Sequence, residues 1–137
     1  MKESKTINKP TKPSPGMEYV LTVARVGFGG NTGDGKYFYA FSQHPIHIIG
    51  KKGAFQMTFT LSDETHEDII ITNGVSGDTG YQVMIDPETN GRSAWATNTN
   101  SENTLFTFGL VLQNKRTNEY LICDPEVINV PDPHPTP

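Results

Sequence analysis

Residues 54–62 read Ala-Phe-Gln-Met-Thr-Phe-Thr-Leu-Ser, so that Phe55, Met57, Phe59 and Leu61 alternate with Gln56, Thr58 and Thr60. Successive side chains of an extended strand point to opposite faces, which gives this run one apolar face and one polar face. A helix would scatter the same residues around its circumference. The run is therefore a half-buried strand, and its apolar face needs a second layer to cover it.

Shorter runs with the same alternation or β-branched and aromatic enrichment fall at 18–28, 36–42, 46–49, 68–72, 81–85, 93–97, 104–113 and 119–123. Between them lie Gly, Asn and Asp clusters such as GGNTGDG at 29–35, NGVSGDTG at 73–80, PETNG at 87–91 and NKRTN at 114–118. These residues tolerate positive φ and close hairpins. No segment carries a sustained helical period. The pattern predicts an all-β fold, an antiparallel, immunoglobulin-like β-sandwich of about nine short strands, with a small β-barrel as the alternative.

Pro10, Pro13, Pro15 and Gly16 predict a flexible leader over 1–16, and Pro131, Pro133, Pro135 and Pro137 a proline-rich tail over 131–137. A single domain is expected over 17–130, a length sufficient for one two-layer core. Only 34% of residues are apolar, but their regular spacing favours a thin folded protein over a disordered one.

Charge is divided unevenly. The first sixteen residues hold Lys2, Lys5, Lys9 and Lys12 against Glu3, leaving seven of the eleven basic and fourteen of the fifteen acidic residues beyond them, a net of −7. An acidic body repels phosphate, so neither nucleic acid nor a membrane surface is an expected partner. The opening MKESKTINKPTKPSPG lacks the apolar stretch of a secretory signal, which predicts a cytoplasmic location. The single cysteine, Cys123, excludes an internal disulfide.

Several motifs suggest chemistry. Gly30-Asn31-Thr32-Gly33-Asp34-Gly35-Lys36 fits G-x-x-x-x-G-K, yet Tyr37 stands where a phosphate loop needs Ser or Thr, and a strand follows instead of a helix. A glycine-rich hairpin is the expected outcome. His44 and His47 have the spacing H-x-x-H, but on one strand they point to opposite faces, and no neighbouring Cys or His completes a zinc set. The segment 63–68, DETHED, gathers four carboxylates without the Asp/Asn periodicity of a calcium loop and reads as solvated charge. Cys123, set in YLICD, reads as a small buried hydrophobe. No cofactor or metal is expected, and no catalytic set assembles along the chain.

Trp95 alternates with Ala94 and Ala96. Either the alanines face outward and the indole is core, or the alanines pack inward and the indole lies exposed beside the polar segment 98–103. In the second case Trp95, Asn98 and Asn100 would form a stacking and hydrogen-bonding surface for a carbohydrate.

Asp-Pro-Glu occurs at 86–88 and again as Asp124-Pro125-Glu126, each time after a strand that begins with tyrosine. Proline removes a ladder donor, so both copies read as strand terminators, and the second, running on into Val127, Ile128 and Val130, as a bend or bulge that carries the chain to the other sheet. With the pattern of short strands, these residues make the chain resemble the small bacterial DP-EP family, domains of unknown function. That resemblance implies a compact β fold in a bacterial protein and assigns no catalytic residue. The expectation for function is a non-enzymatic binding or structural module that engages protein partners or pairs with itself as a homo-oligomer; the alternative is a carbohydrate-binding module.

Overall fold

The computed structural model describes residues 17–51, 53–76, 82–85, 90–100 and 103–134. The predicted leader 1–16, the first Asp-Pro-Glu copy at 86–88 and residues 135–137 of the tail lie outside these. No helix occurs among the described residues. The described residues form ten strands in chain order: β1 (Glu18–Arg25), β2 (Tyr37–Phe41), β3 (Ile46–Ile49), β4 (Phe55–Leu61), β5 (Ile69–Ser76), β6 (Gln82–Ile85), β7 (Ser93–Asn98), β8 (Thr104–Asn114), β9 (Glu119–Cys123) and β10 (Glu126–Val130).

The first sheet has the order β2-β1-β4-β7-β6; the second has β3-β10-β8-β5, with β9 also paired to β8. The sheets do not close into a barrel, and the protein is a β-sandwich. Pairing is antiparallel except for β1 with β4 and β3 with β10, which run parallel.

The alternation in β4 appears as burial. Phe55, Met57, Phe59 and Leu61 are 5% exposed or less, whereas Thr60 faces solvent. Phe59 lies at the centre, with ring centroids 5.4 Å from Tyr19, 5.9 Å from Phe41 and 5.6 Å from Phe108 of the second sheet. Beside it the register sets small against large, with Ala94 next to Phe59 and Ala96 next to Met57. The alanines thus point into the core, and Trp95 stands on the opposite face of its sheet.

The tenth strand arises at Asp124-Pro125. The expected bend or bulge to the other sheet does not occur. Cys123 sits opposite Leu110, and three residues on Glu126 sits opposite Thr107, three residues back along β8, so β9 and β10 follow β8 in one unbroken register. Pro125 interrupts the ladder by lacking an N–H and leaves the strand direction unchanged.

The G-x-x-x-x-G-K segment covers a sheet edge. Among the described strands β2 pairs only with β1, which leaves the backbone groups of Tyr37 and Tyr39 on its open side. Asn31 meets both groups of Tyr39: its Nδ2 donates to the carbonyl at 2.9 Å and its Oδ1 accepts the N–H at 2.8 Å. The Tyr37 carbonyl accepts the N–H groups of Asn31 and Thr32 at 2.9 and 3.3 Å, and its N–H reaches the Thr32 hydroxyl at 3.3 Å. The loop thereby supplies the bonds of a neighbouring strand and protects an edge that would otherwise template pairing. Gly30 makes the approach possible, because a Cβ there would collide with the Tyr37 carbonyl. Gly30→Ala is expected to cost about 1–3 kcal/mol through forced displacement of the loop. A lower urea midpoint, with increased light scattering on storage, checks this.

Candidate functional site

The two sheets approach each other along one flank, where β2 and β9 face across a gap. At one end of that gap the Glu119 carboxylate collects donors from four residues. Arg25 binds it through both forks, Nε to Oε1 at 3.0 Å and Nη2 to Oε2 at 3.1 Å. The Tyr37 hydroxyl donates to Oε1 at 2.6 Å and the Thr117 hydroxyl at 3.0 Å, while Lys36 Nζ lies 3.7 Å from Oε2. Asn114, the buried last residue of β8, in turn donates to the Tyr37 hydroxyl at 3.0 Å.

These donors, Arg25 first, hold the Glu119 carboxyl well below the ordinary carboxylate range. A carboxyl whose pKa falls on folding stabilises the protein above its unfolded value and loses that contribution as the pH drops below it. Glu119→Gln is therefore expected to lower the urea midpoint at pH 7. The difference from the parent should shrink as pH falls below about 4.5, the ordinary value of the group. A difference that stays constant down to pH 3 would contradict this.

Beyond the clamp lies a groove of about 400 Å³ between the loop Asn31–Asp34 and the strand β9, with Tyr39 in its base. The Tyr39 hydroxyl accepts the Asp124 N–H at 3.3 Å and bridges the gap at that end. Next to it the Asp124 carboxylate lies against the sheet, its Oδ1 only 3.2 Å from where a Cβ on Gly109 would stand. Burial raises the Asp124 pKa, and among the described residues no donor or cation reaches its carboxylate. Cys123 is fully buried, and burial followed by the neighbouring Asp124 charge pushes its thiol pKa up. It is a neutral packing group, unsuited to nucleophilic attack.

The outer face of the second sheet is apolar. Ile49, Leu105, Tyr120, Ile122 and Val75 point outward from β3, β8, β9 and β5, each more than half exposed. The register sets Leu105 beside the half-buried Ile128, and Ile122 beside Val111.

The residues predicted for carbohydrate binding are interior. Trp95, Asn98 and Asn100 are 4%, 1% and 2% exposed. Trp95 meets neither expectation: its alanine neighbours are core, yet the indole on the outer face is covered and offers no stacking surface. Asn98 exchanges two amide hydrogen bonds with Asn129 across the sheets, at 3.0 and 2.8 Å, and accepts the Asn100 N–H at 2.9 Å. Asn100 donates to the carbonyls of Lys51 and Gly53, closing the loop before β4. Asn129→Leu leaves a buried amide without its partner and is expected to cost about 1–3 kcal/mol. Asn98→Leu added to it should cost less than the sum of the single variants, as a denaturation double-mutant cycle would show.

The acidic segment 63–68 is organised by Arg92. Its Nη1 donates to the carbonyls of His66 and Ile69 at 3.1 and 2.7 Å, and its Nη2 to those of Ser62 and Thr65 at 3.1 and 3.0 Å. The loop carbonyls thus converge on a guanidinium. The buried Thr65 hydroxyl accepts the Val23 N–H at 3.0 Å and ties the loop to β1. His47 points outward from β3, and His44 precedes that strand. Among the described residues no three His, Cys, Asp or Glu side chains are grouped to hold a metal. Asp124, Pro125 and Glu126 join β9 to β10, with Pro125 buried and the two acids exposed.

Sequence reasoning missed Arg25, Tyr37 and Glu119, which meet only in three dimensions, and Arg92. No protein-family model matches the chain, and no curated protein matches it. Among the described residues no helix is long and apolar enough to cross a membrane.

Proposed function

We propose that the protein is a non-enzymatic β-sandwich module that pairs with a second copy of itself through the outer face of its second sheet. The observation that carries this reading is the apolar strip of Ile49, Leu105, Tyr120, Ile122 and Val75 on one face. The described acids on that face are Glu126 and Asp124, which lies over Gly109 beside Ile122, so self-pairing there would be favoured by added salt.

The dimensions support it. The eleven residues of β8 set the length of the face. At about 3.4 Å per residue, and with three to four strands abreast at about 4.8 Å, the face covers on the order of 600 Å². One partner in a standard interface contributes about 800 Å². Two such faces related by a two-fold axis would place identical strips together, the usual arrangement of homodimers. The resemblance to DP-EP domains rests on Asp124-Pro125-Glu126 and bears on the fold alone. A carbohydrate site at Trp95, Asn98 and Asn100 finds no support in side chains that are this buried.

Leu105→Glu is the decisive variant, since Leu105 is 61% exposed and its replacement should change folding stability by about 0.5 kcal/mol or less. In sedimentation equilibrium the parent protein is expected to dimerise at micromolar to submillimolar concentration and the variant to remain monomeric. A parent chain that stays monomeric throughout that range overturns the proposal.

A further inference from the structure

The groove between β2 and β9 combines a free strand edge with a carboxylate, that of Asp124, which no described donor or cation reaches. Among the described residues the side of β9 away from β8 has no neighbouring strand. Its polarity follows from one contact. The Asp124 N–H points away from β8 to the Tyr39 hydroxyl. Backbone groups alternate sides along a strand, so the N–H and C=O of Ile122 and Tyr120 point the same way, into the groove that both residues line.

Each end of this free edge is closed. The clamp on Glu119 closes one end, and the Tyr39 hydroxyl on Asp124 the other. The facing edge of β2 is already satisfied by Asn31 and Thr32. What remains is the backbone of two alternate residues, enough for a short extended segment, in a groove of about 400 Å³. Its lining includes Asp34 and Asp124 and no basic residue. Asp34 is held ionised, its pKa lowered chiefly by the Lys36 N–H. Asp124 projects on the same face as Ile122, where a cross-strand side chain of an added strand would lie.

We propose that this groove is a strand-docking site: an extended segment of a partner polypeptide pairs with the backbone of Tyr120 and Ile122 and sets a lysine or arginine against Asp124. Main-chain pairing supplies affinity and the carboxylate supplies selectivity, as in strand addition to other sheet edges. The site deepens the reading of the protein as a binding module; it shares Tyr120 and Ile122 with the self-pairing strip but uses their backbone edge, not their outward side chains, and Leu105 is not part of the groove. A monomeric Leu105→Glu variant keeps the groove, so failure of either proposal leaves the other standing.

The test uses the full chain and two capped pentapeptides, Thr-Val-Lys-Val-Thr and Thr-Val-Glu-Val-Thr. The lysine peptide is expected to shift the amide resonances of Tyr120 and Ile122 and to bind about tenfold more tightly than the glutamate peptide, the effect of one charge-assisted contact. Asp124→Asn should remove most of that preference. Ile122→Pro, which deletes an N–H pointing away from β8, should abolish binding. N-methylation of alternate peptide amides should do the same without altering the protein. Absence of shifts at Tyr120 and Ile122, equal affinity for the two peptides, or binding indifferent to N-methylation overturns the proposal.

Discussion

The Glu119 carboxylate is the contact on which the flank of the sandwich depends. A sheet-on-sheet core is held by non-directional burial, which by itself permits the layers to slide or splay. Glu119 sits on β9 in the second sheet, whereas Arg25 and Tyr37 sit on β1 and β2 in the first, so their hydrogen bonds fix one layer against the other. The Arg25 guanidinium also lies over the Tyr37 ring, 5.9 Å from its centroid. With that end pinned, the distance between β2 and β9 is set, and with it the width of the groove. The same carboxylate that stabilises the fold therefore defines the surface through which we propose it acts.

That geometry also explains why two neighbouring edges have different fates. The open side of β2 is closed by its own hairpin loop, with Asn31 taking the place of a strand residue. The open side of β9 receives only the Tyr39 hydroxyl at one end. Unpaired edges invite uncontrolled association, and proteins usually cover them or keep them short. Here the free stretch of β9 is confined between the clamp and Tyr39, too short to nucleate an extended sheet but long enough to select a partner segment.

The strands were legible because each reduces to a parity rule, and β4 is the clearest case. Parity carries further than fold class. Asn98 follows Ala94 and Ala96 at inward positions, Asn129 follows Val127, and Asn114 follows Phe108, Leu110 and Leu112. An asparagine at a core position implies a buried hydrogen-bonded amide, so the interior placement of Asn98 could be read from its spacing and argues against a role in a surface site. Its partner could not, since nothing local connects residue 98 with residue 129. The clamp was illegible for the same reason: Arg25, Tyr37 and Glu119 are ordinary surface-compatible residues until the fold brings them together. Trp95 was misjudged because the two expectations considered only inward or exposed, whereas the outer face of a sheet can itself be covered.

Asp124-Pro125 shows how a local terminator acquires a larger role. In β10 the backbone groups turned away from β8 pair with β3, and the chain beyond continues this, with the Gly50 N–H donating to the Val130 carbonyl at 2.8 Å. In β9 the corresponding groups have no neighbouring strand among the described residues. Pro125 lies between these two stretches in an unbroken register, where its missing N–H interrupts the ladder without redirecting the chain. Asp124, just before it, is placed opposite Gly109, the one residue small enough to let a carboxylate lie flat on the sheet. The dipeptide thus divides one long strand into a part that completes the sheet and a part that remains open, and it sets a negative charge at the boundary.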